Sequence, residues 1–144
     1  MSEILIASDH AGYKLKYDLT RELKIKNKFH DLGTSSQDSV DYPDFAIKLS
    51  RLINTNKFEK GILICGSGIG MSMVANRFEN IRAALCLNEE MAKLARQHNN
   101  ANILVLGSRL ISLQEAIKCT IVFMKTDYEG GRHQARLDKF NFVE

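Results

Sequence analysis

The 144-residue chain is 44% apolar and 26% charged, as expected of one globular domain able to bury a core, which excludes a disordered chain. No apolar run approaches the roughly 18 residues of a membrane span, and Met1-Ser2-Glu3 carries neither a basic flank nor a cleavage site, so a cytoplasmic protein is expected. The net charge of +3 is too small and dispersed for a nucleic-acid footprint, and three cysteines without C-x-x-C spacing argue against a disulfide framework or a zinc site.

The first predicted strand is Ile4-Leu5-Ile6-Ala7, followed by Asp9-His10 and a helical pattern with Leu15, Leu19 and Leu23 on one face. A weaker strand, Phe29-His30-Asp31-Leu32, precedes a second helix that Pro43 starts and that buries Phe45, Leu49 and Ile53. Ile62-Leu63-Ile64-Cys65 is the third strand and runs into Gly66-Ser67-Gly68-Ile69-Gly70, after which Met71, Val74, Ala75 and Phe78 follow helical spacing. Ala83-Ala84-Leu85-Cys86 is the fourth strand, Met91, Leu94 and Ala95 mark the fourth helix, and Ile103-Leu104-Val105-Leu106 is the fifth strand. Leu113, Ile117, Ile121 and Met124 form a later helix face. From residue 128 the chain turns polar, and Gly130-Gly131 breaks it before a short last helix. Tails of this kind often reach across to a second subunit.

Strands without period-two alternation, separated by helices, are buried on both faces. The fold class expected is therefore α/β, a three-layer α/β/α Rossmann-like domain with a five-stranded parallel sheet over residues 1–144. Ligands of such sheets bind at the carboxyl ends of the strands, which would bring Asp9, His10, Cys65 and Arg109 to one edge.

Alternating glycines let a turn bring backbone N–H groups close to an anion, and the following helix adds its positive end. The loop lacks the Lys-Ser or Lys-Thr of a Walker loop and the G-x-G-x-x-G spacing of a dinucleotide site, although a glycine turn of this kind can also serve packing alone. Cys65 reads either as a core thiol or, beside those donors, as a thiolate base; Cys86 and Cys119 lack such a setting and read as core. His98 extends the Met91 face, as a structural histidine would, yet its polar surroundings just before the fifth strand favour a pocket residue. His30 reads as a surface residue. Arg132 and Arg136, at i and i+4, present either a solvated face or two guanidinium forks for a phosphate, to which Arg109 and His10 add. A small anion is the expected partner.

These stretches give the chain a specific likeness. Ser8-Asp9-His10-Ala11-Gly12, Asp41-Tyr42-Pro43, the run from Gly61 to Gly70, Ala75-Asn76, Arg96-Gln97-His98-Asn99, Gly107-Ser108-Arg109 and the run from Tyr128 to Arg136 stand in the order found in the type B ribose-5-phosphate isomerases and their galactose-6-phosphate and allose-6-phosphate relatives. The chain resembles that family over nearly its whole length. The resemblance implies interconversion of ribose 5-phosphate and ribulose 5-phosphate through a cis-enediol, in the pentose phosphate pathway, with no metal or organic cofactor.

It also implies roles. Cys65 would carry the proton between C1 and C2, the base version implied by the absence of a carboxylate from residues 71 to 76, while the N–H groups of Gly66, Gly68, Ile69 and Gly70 stabilise the enediolate. Ser67, where many members have threonine, keeps a hydroxyl for a sugar oxygen. His98 would open the furanose ring with Asp9 assisting, and Tyr42 and Asn99 would contact substrate. His10, Arg109, Arg132 and Arg136 would hold the phosphate, the last two from a partner subunit reached by the tail 128–144, which makes a homodimer, or a dimer of dimers, the functional unit. The full set favours ribose 5-phosphate over six-carbon substrates, and a non-catalytic sugar-phosphate binder would have been free to lose Cys65 and His98.

Overall fold

Apolar runs buried on both sides require a helix layer above and below, and the computed structural model, which describes residues 2–142, has both. The strands are β1 (Ser2–Ser8), β2 (Asn27–Asp31), β3 (Gly61–Cys65), β4 (Ala83–Leu85) and β5 (Ile103–Gly107), all parallel, in the order β2-β1-β3-β5-β4. The helices are α1 (Tyr13–Leu23), α2 (Tyr42–Asn54), α3 (Ile69–Ala75), α4 (Glu89–Asn99), α5 (Leu113–Lys125) and α6 (Arg132–Leu137). Val143 and Glu144, the end of the predicted tail, lie outside the described residues.

Period-two geometry divides each strand between two cores. Ile4, Ile6, Ile62, Ile64, Leu104 and Leu106 face α1, α4 and α5, while Leu5, Ala7, Leu63, Cys65, Ile103 and Val105 face α2 and α3. Burying such an aliphatic side chain is worth about 1.5–3 kcal/mol, so a one-residue slip of a strand would exchange both sets and is strongly disfavoured. Successive strands β1 and β2 run to one side and β3 to the other, which opens a crevice between β1 and β3 at the carboxyl edge.

Two helix faces differ from the expected ones. In α4 the buried positions are Ala92, Ala95 and Arg96, whereas Met91 and Leu94 stand 39% and 37% exposed. The cause is close contact with α5 through small residues, which leaves no room for the larger side chains of the neighbouring stripe. Arg96 is accommodated in that contact because its guanidinium donates to the carbonyls of Thr126 (3.0 Å) and Ala101 (2.6 Å) and to Asn100 Oδ1 (3.0 Å). In α5 the core positions are Ala116, Cys119, Thr120, Val122 and Phe123, while Ile121 is 43% exposed. Pro43 does open α2, and Phe78 lies past the end of α3 while still meeting the core.

Cys86 and Cys119 are buried in the core, and loss of hydration pushes their thiols up to about 12 and about 11. Raised folded-state values relative to 9.0 mean that the unfolded chain releases these protons first. Their stabilisation is therefore complete below about pH 9 and lost as pH climbs toward 11–12. Urea unfolding should give a stability that falls from pH 9 to 10.5, and a Cys86→Ala, Cys119→Ala protein should show a shallower fall; equal slopes would remove the thiols from the balance.

Candidate active site

The three central strands, β1, β3 and β5, each contribute to the carboxyl edge through the turn that follows. After β1, the Asp9 carboxylate accepts the Gly12 N–H at 3.0 Å and closes the turn into α1, leaving His10 in the crevice. After β3, Gly68 adopts φ +77°, a conformation that glycine takes without strain, and a β-carbon there would stand 2.5 Å from the Leu85 side chain. This bend turns the Gly68 N–H back onto Cys65 Sγ at 3.2 Å, where it is placed to stabilise negative charge. The Ile69 N–H donates to Ser67 Oγ at 3.2 Å.

After β5, the Ser108 hydroxyl donates to the Ala11 carbonyl at 2.8 Å and ties the β5 turn to the β1 turn across 97 residues of sequence. Arg109 N–H donates to the Gly66 carbonyl, and its guanidinium lies over Gly66, where a β-carbon would come within 2.6 Å of Nη1. The Tyr42 ring rests against Gly70.

Asp9, His10, Tyr42, Cys65, Gly66, Ser67, Ile69, Gly70 and Arg109 thus line one cleft of about 560 Å³, with Gly68 behind the thiol. Two further lining residues, Ala11 and Met73, escaped the sequence reading; Met73 stands one turn beyond Ile69 on α3, which is the signal that could have found it. The cleft holds a thiol, a carboxylate, an imidazole, a hydroxyl and a guanidinium, a set able to move a proton at carbon beside a bound anion.

His98, Asn99, Arg132 and Arg136 are elsewhere in the same chain. A helix that feeds a parallel strand ends at that strand's amino edge, so the C-terminal end of α4 lies at the opposite edge from Cys65, about 13 Å away along β5. There His98 stacks on His133, with ring centroids 4.4 Å apart and planes 19° from parallel, and its Nε2 is 3.5 Å from Glu129 Oε1. Lost hydration, the His98 ring and the guanidinium of Arg132 hold His133 below the usual imidazole range. The Glu129 N–H donates to the Gln97 carbonyl and fastens the tail to α4.

Asn99 lines a separate cavity of about 480 Å³ with Asn76 and Phe140. Arg132 and Arg136 sit on α6, none of whose residues is buried. Among the described residues, His98, Glu129 and His133 bring three ligand-type atoms within 4.8 Å of one another. The two imidazoles are nearly parallel, so their in-plane lone pairs do not converge on one point, and the cluster as it stands does not suit a metal ion.

Known proteins match the chain in sequence and in fold. The sequence profile of the ribose/galactose isomerase family matches residues 4–140. A probable ribose-5-phosphate isomerase B of Mycoplasma genitalium is 47% identical over 94% of this chain and 91% of its own length, and ribose-5-phosphate isomerase B of Escherichia coli is 37% identical over 100% and 97%. Among solved structures, a ribose 5-phosphate isomerase of Thermotoga maritima superimposes with a TM-score of 0.96 at 50% identity over 99% of both chains. The Mycoplasma genitalium enzyme with bound ribulose-5-phosphate gives 0.90 at 46% identity over 95% of this chain and 92% of that one.

Fold and cleft together define the class: an α/β enzyme that isomerises sugar phosphates. Within that class, the chain belongs to the ribose/galactose isomerase family, alongside the type B ribose-5-phosphate isomerases. Among the described residues no helix is long and apolar enough to cross a membrane.

Proposed function

We propose that the protein interconverts D-ribose 5-phosphate and D-ribulose 5-phosphate with Cys65 as the base. The observation that carries this reading is the thiol at the end of β3, lining the cleft, with the Gly68 N–H on its sulfur and Ser67, Asp9 and Arg109 around the same space. A carbon acid beside a carbonyl needs a positioned base and donors where charge develops, and both are adjacent here. The Mycoplasma genitalium relative with ribulose-5-phosphate bound supports the choice of substrate.

In the forward direction the Cys65 thiolate takes the C2 proton of the linear aldose. The electron pair forms C1=C2 and the carbonyl oxygen becomes an enediolate oxygen, held by N–H groups of the glycine loop. The proton on O2 then passes to O1, the electron pair of the O2–H bond forms C2=O2, and the C1=C2 pair takes the proton back from the thiol at C1, leaving the ketose with its C1 hydroxyl. Ser67 bonds a sugar oxygen, Asp9 holds hydroxyls, and His10 with Arg109 takes the phosphate. The reaction belongs to the non-oxidative pentose phosphate pathway of the cytoplasm.

Ring opening needs a further proton carrier, and the imidazole of His98 is the group we assign to it. Because His98 and Asn99 lie at the amino edge with Arg132 and Arg136, they serve the cleft of a second copy, so that a homodimer, alone or paired into a tetramer, builds each site from two chains. Exposed apolar side chains on α3 and α4, Ile69, Met73, Met91 and Leu94, are consistent with faces that a partner covers.

Turnover of ribose 5-phosphate, allose 6-phosphate and galactose 6-phosphate, each with a metal chelator present, tests the assignment. The five-carbon substrate should turn over fastest and be indifferent to chelation. Faster turnover of a six-carbon substrate would move the protein to another branch of the family, and tight binding without turnover would make it a sugar-phosphate binder.

A further inference from the structure

Lys16 is one of the largest fully buried side chains of the protein, 1% exposed, although its ionic partner, Asp31, is half exposed. Its ammonium donates to Asp31 Oδ1 at 2.7 Å and to the Thr34 carbonyl at 2.6 Å, and it lies over the Tyr13 ring, 5.6 Å from the centroid. A buried ion pair of this kind is no more stabilising than a well-packed apolar side chain of similar length. What the charge adds is a fixed position for the groups it holds, and those groups start the loop that joins β2 to α2.

That loop is fastened at two places. At its start, Ser8 and Thr34 exchange backbone bonds with the Gly33 and Ser8 carbonyls at 2.8 Å, and Asp31 accepts the Gly33 N–H at 2.9 Å. At its far end, among the described residues, the link back to β1 is the Val40 N–H, which donates to His10 Nδ1 at 3.2 Å. His10 is itself two residues before Gly12, where the turn into the helix bearing Lys16 begins. Lys16, α1, the His10 turn, Val40 and Thr34 therefore form a closed ring of covalent and hydrogen bonds at the rim of the cleft.

We propose that Lys16 is a positioning residue that, through Thr34 and the loop to Val40, holds His10 in the tautomer with its proton on Nε2. An Nδ1 that accepts a backbone N–H cannot carry the proton of the neutral ring, so Nε2–H is left as a donor. The consequence for catalysis rests on the reading above, in which His10 belongs to the phosphate grip: an imidazole locked as a donor meets a phosphate oxygen without first reorganising.

Long-range ¹H–¹⁵N spectra of His10, assigned by loss of the signal in His10→Gln, read the tautomer directly in the free protein. Wild type should show one tautomer, protonated at Nε2. Val40→Pro removes the donor itself and should give a mixture of tautomers; Lys16→Met, which keeps the length and removes the charge, should reproduce that mixture, with KM for ribose 5-phosphate rising about tenfold while kcat changes less than threefold. A folded Lys16→Met protein with the wild-type tautomer would overturn the proposal and leave Lys16 a structural residue. Should Lys16→Met fail to fold, Asp31→Ala, at a half-exposed site, is read in the same way. The tautomer is recorded without substrate, so absence of turnover, which would sink the isomerase assignment, leaves this measurement standing, and the converse holds as well.

Discussion

Replacing Cys65 by alanine should lower kcat by at least about 10³-fold while leaving the affinity for a phosphate-bearing competitive inhibitor within about twofold of wild type. The thiol is the group at the end of β3 placed to take a proton from carbon, whereas the groups assigned to the phosphate, His10 and Arg109, stand on the turns after β1 and β5 and do not depend on it. Deleting the sulfur also leaves the backbone bend intact, because the bend is set by Gly68 at φ +77° and by the Arg109 N–H on the Gly66 carbonyl. Loss of kcat and of inhibitor affinity together would mean that the loop had collapsed, and circular dichroism with urea unfolding separates that outcome. Turnover within tenfold of wild type would remove Cys65 from the proton-transfer step. Solvent-proton exchange at C2 of ribose 5-phosphate, followed by NMR, should disappear in parallel with turnover.

The carboxyl edge of the sheet was legible in the sequence because each strand is a short aliphatic run, and the residue after such a run in a parallel sheet has one place to go. Asp9, Cys65 and Arg109 come together for that reason alone. The placement of Cys65 rests on geometry that no spacing encodes: the thiol is 5% exposed and shares the core facing α2 and α3, yet it also lines the cleft and accepts the Gly68 N–H. It is a core residue and a cleft residue together.

His98 was harder, since helical periodicity says which stripe a residue occupies but not which edge of the sheet a helix end reaches. The buried stripe of α4 is also not the one its large side chains indicate. Large side chains at Met91 and Leu94 suggested the buried face, while alanines at 92 and 95 were what allowed α4 to approach α5. Lys16 shows the complementary limit: helical spacing sets it beside Leu19 and Leu23 at the border of the apolar stripe, but it is Asp31 and Thr34, arriving from 15 and 18 residues away, that satisfy its charge there. Asn76 is a similar case, its amide both donating to and accepting from the backbone of Ala83, so that a residue matched through family likeness alone proves to fasten α3 to β4.

The separation of Cys65 from His98 within one chain has a consequence that mixed dimers can read. If each site takes its thiol from one chain and His98 with Arg136 from the other, then Cys65→Ala and His98→Asn each inactivate both sites of their own homodimer. Unfolding and refolding the two proteins together in equal amounts should pair them at random, making about half of the molecules heterodimers, each with one doubly altered and one intact site. About a quarter of wild-type activity should return. Cys65→Ala mixed with Arg136→Ala should give the same fraction, because Arg136 lies on α6, the helix that contacts α4. Mixing His98→Asn with Arg136→Ala supplies the control: the thiol is present in both chains, but every heterodimer site then lacks one of the two amino-edge groups and no activity should return. If instead a chain could fold its own His98 onto its own thiol, none of the three mixtures would recover activity. The recovery pattern of a quarter, a quarter and none thus distinguishes a shared site from a site completed within one chain, with heterodimer formation confirmed by a size tag on one variant.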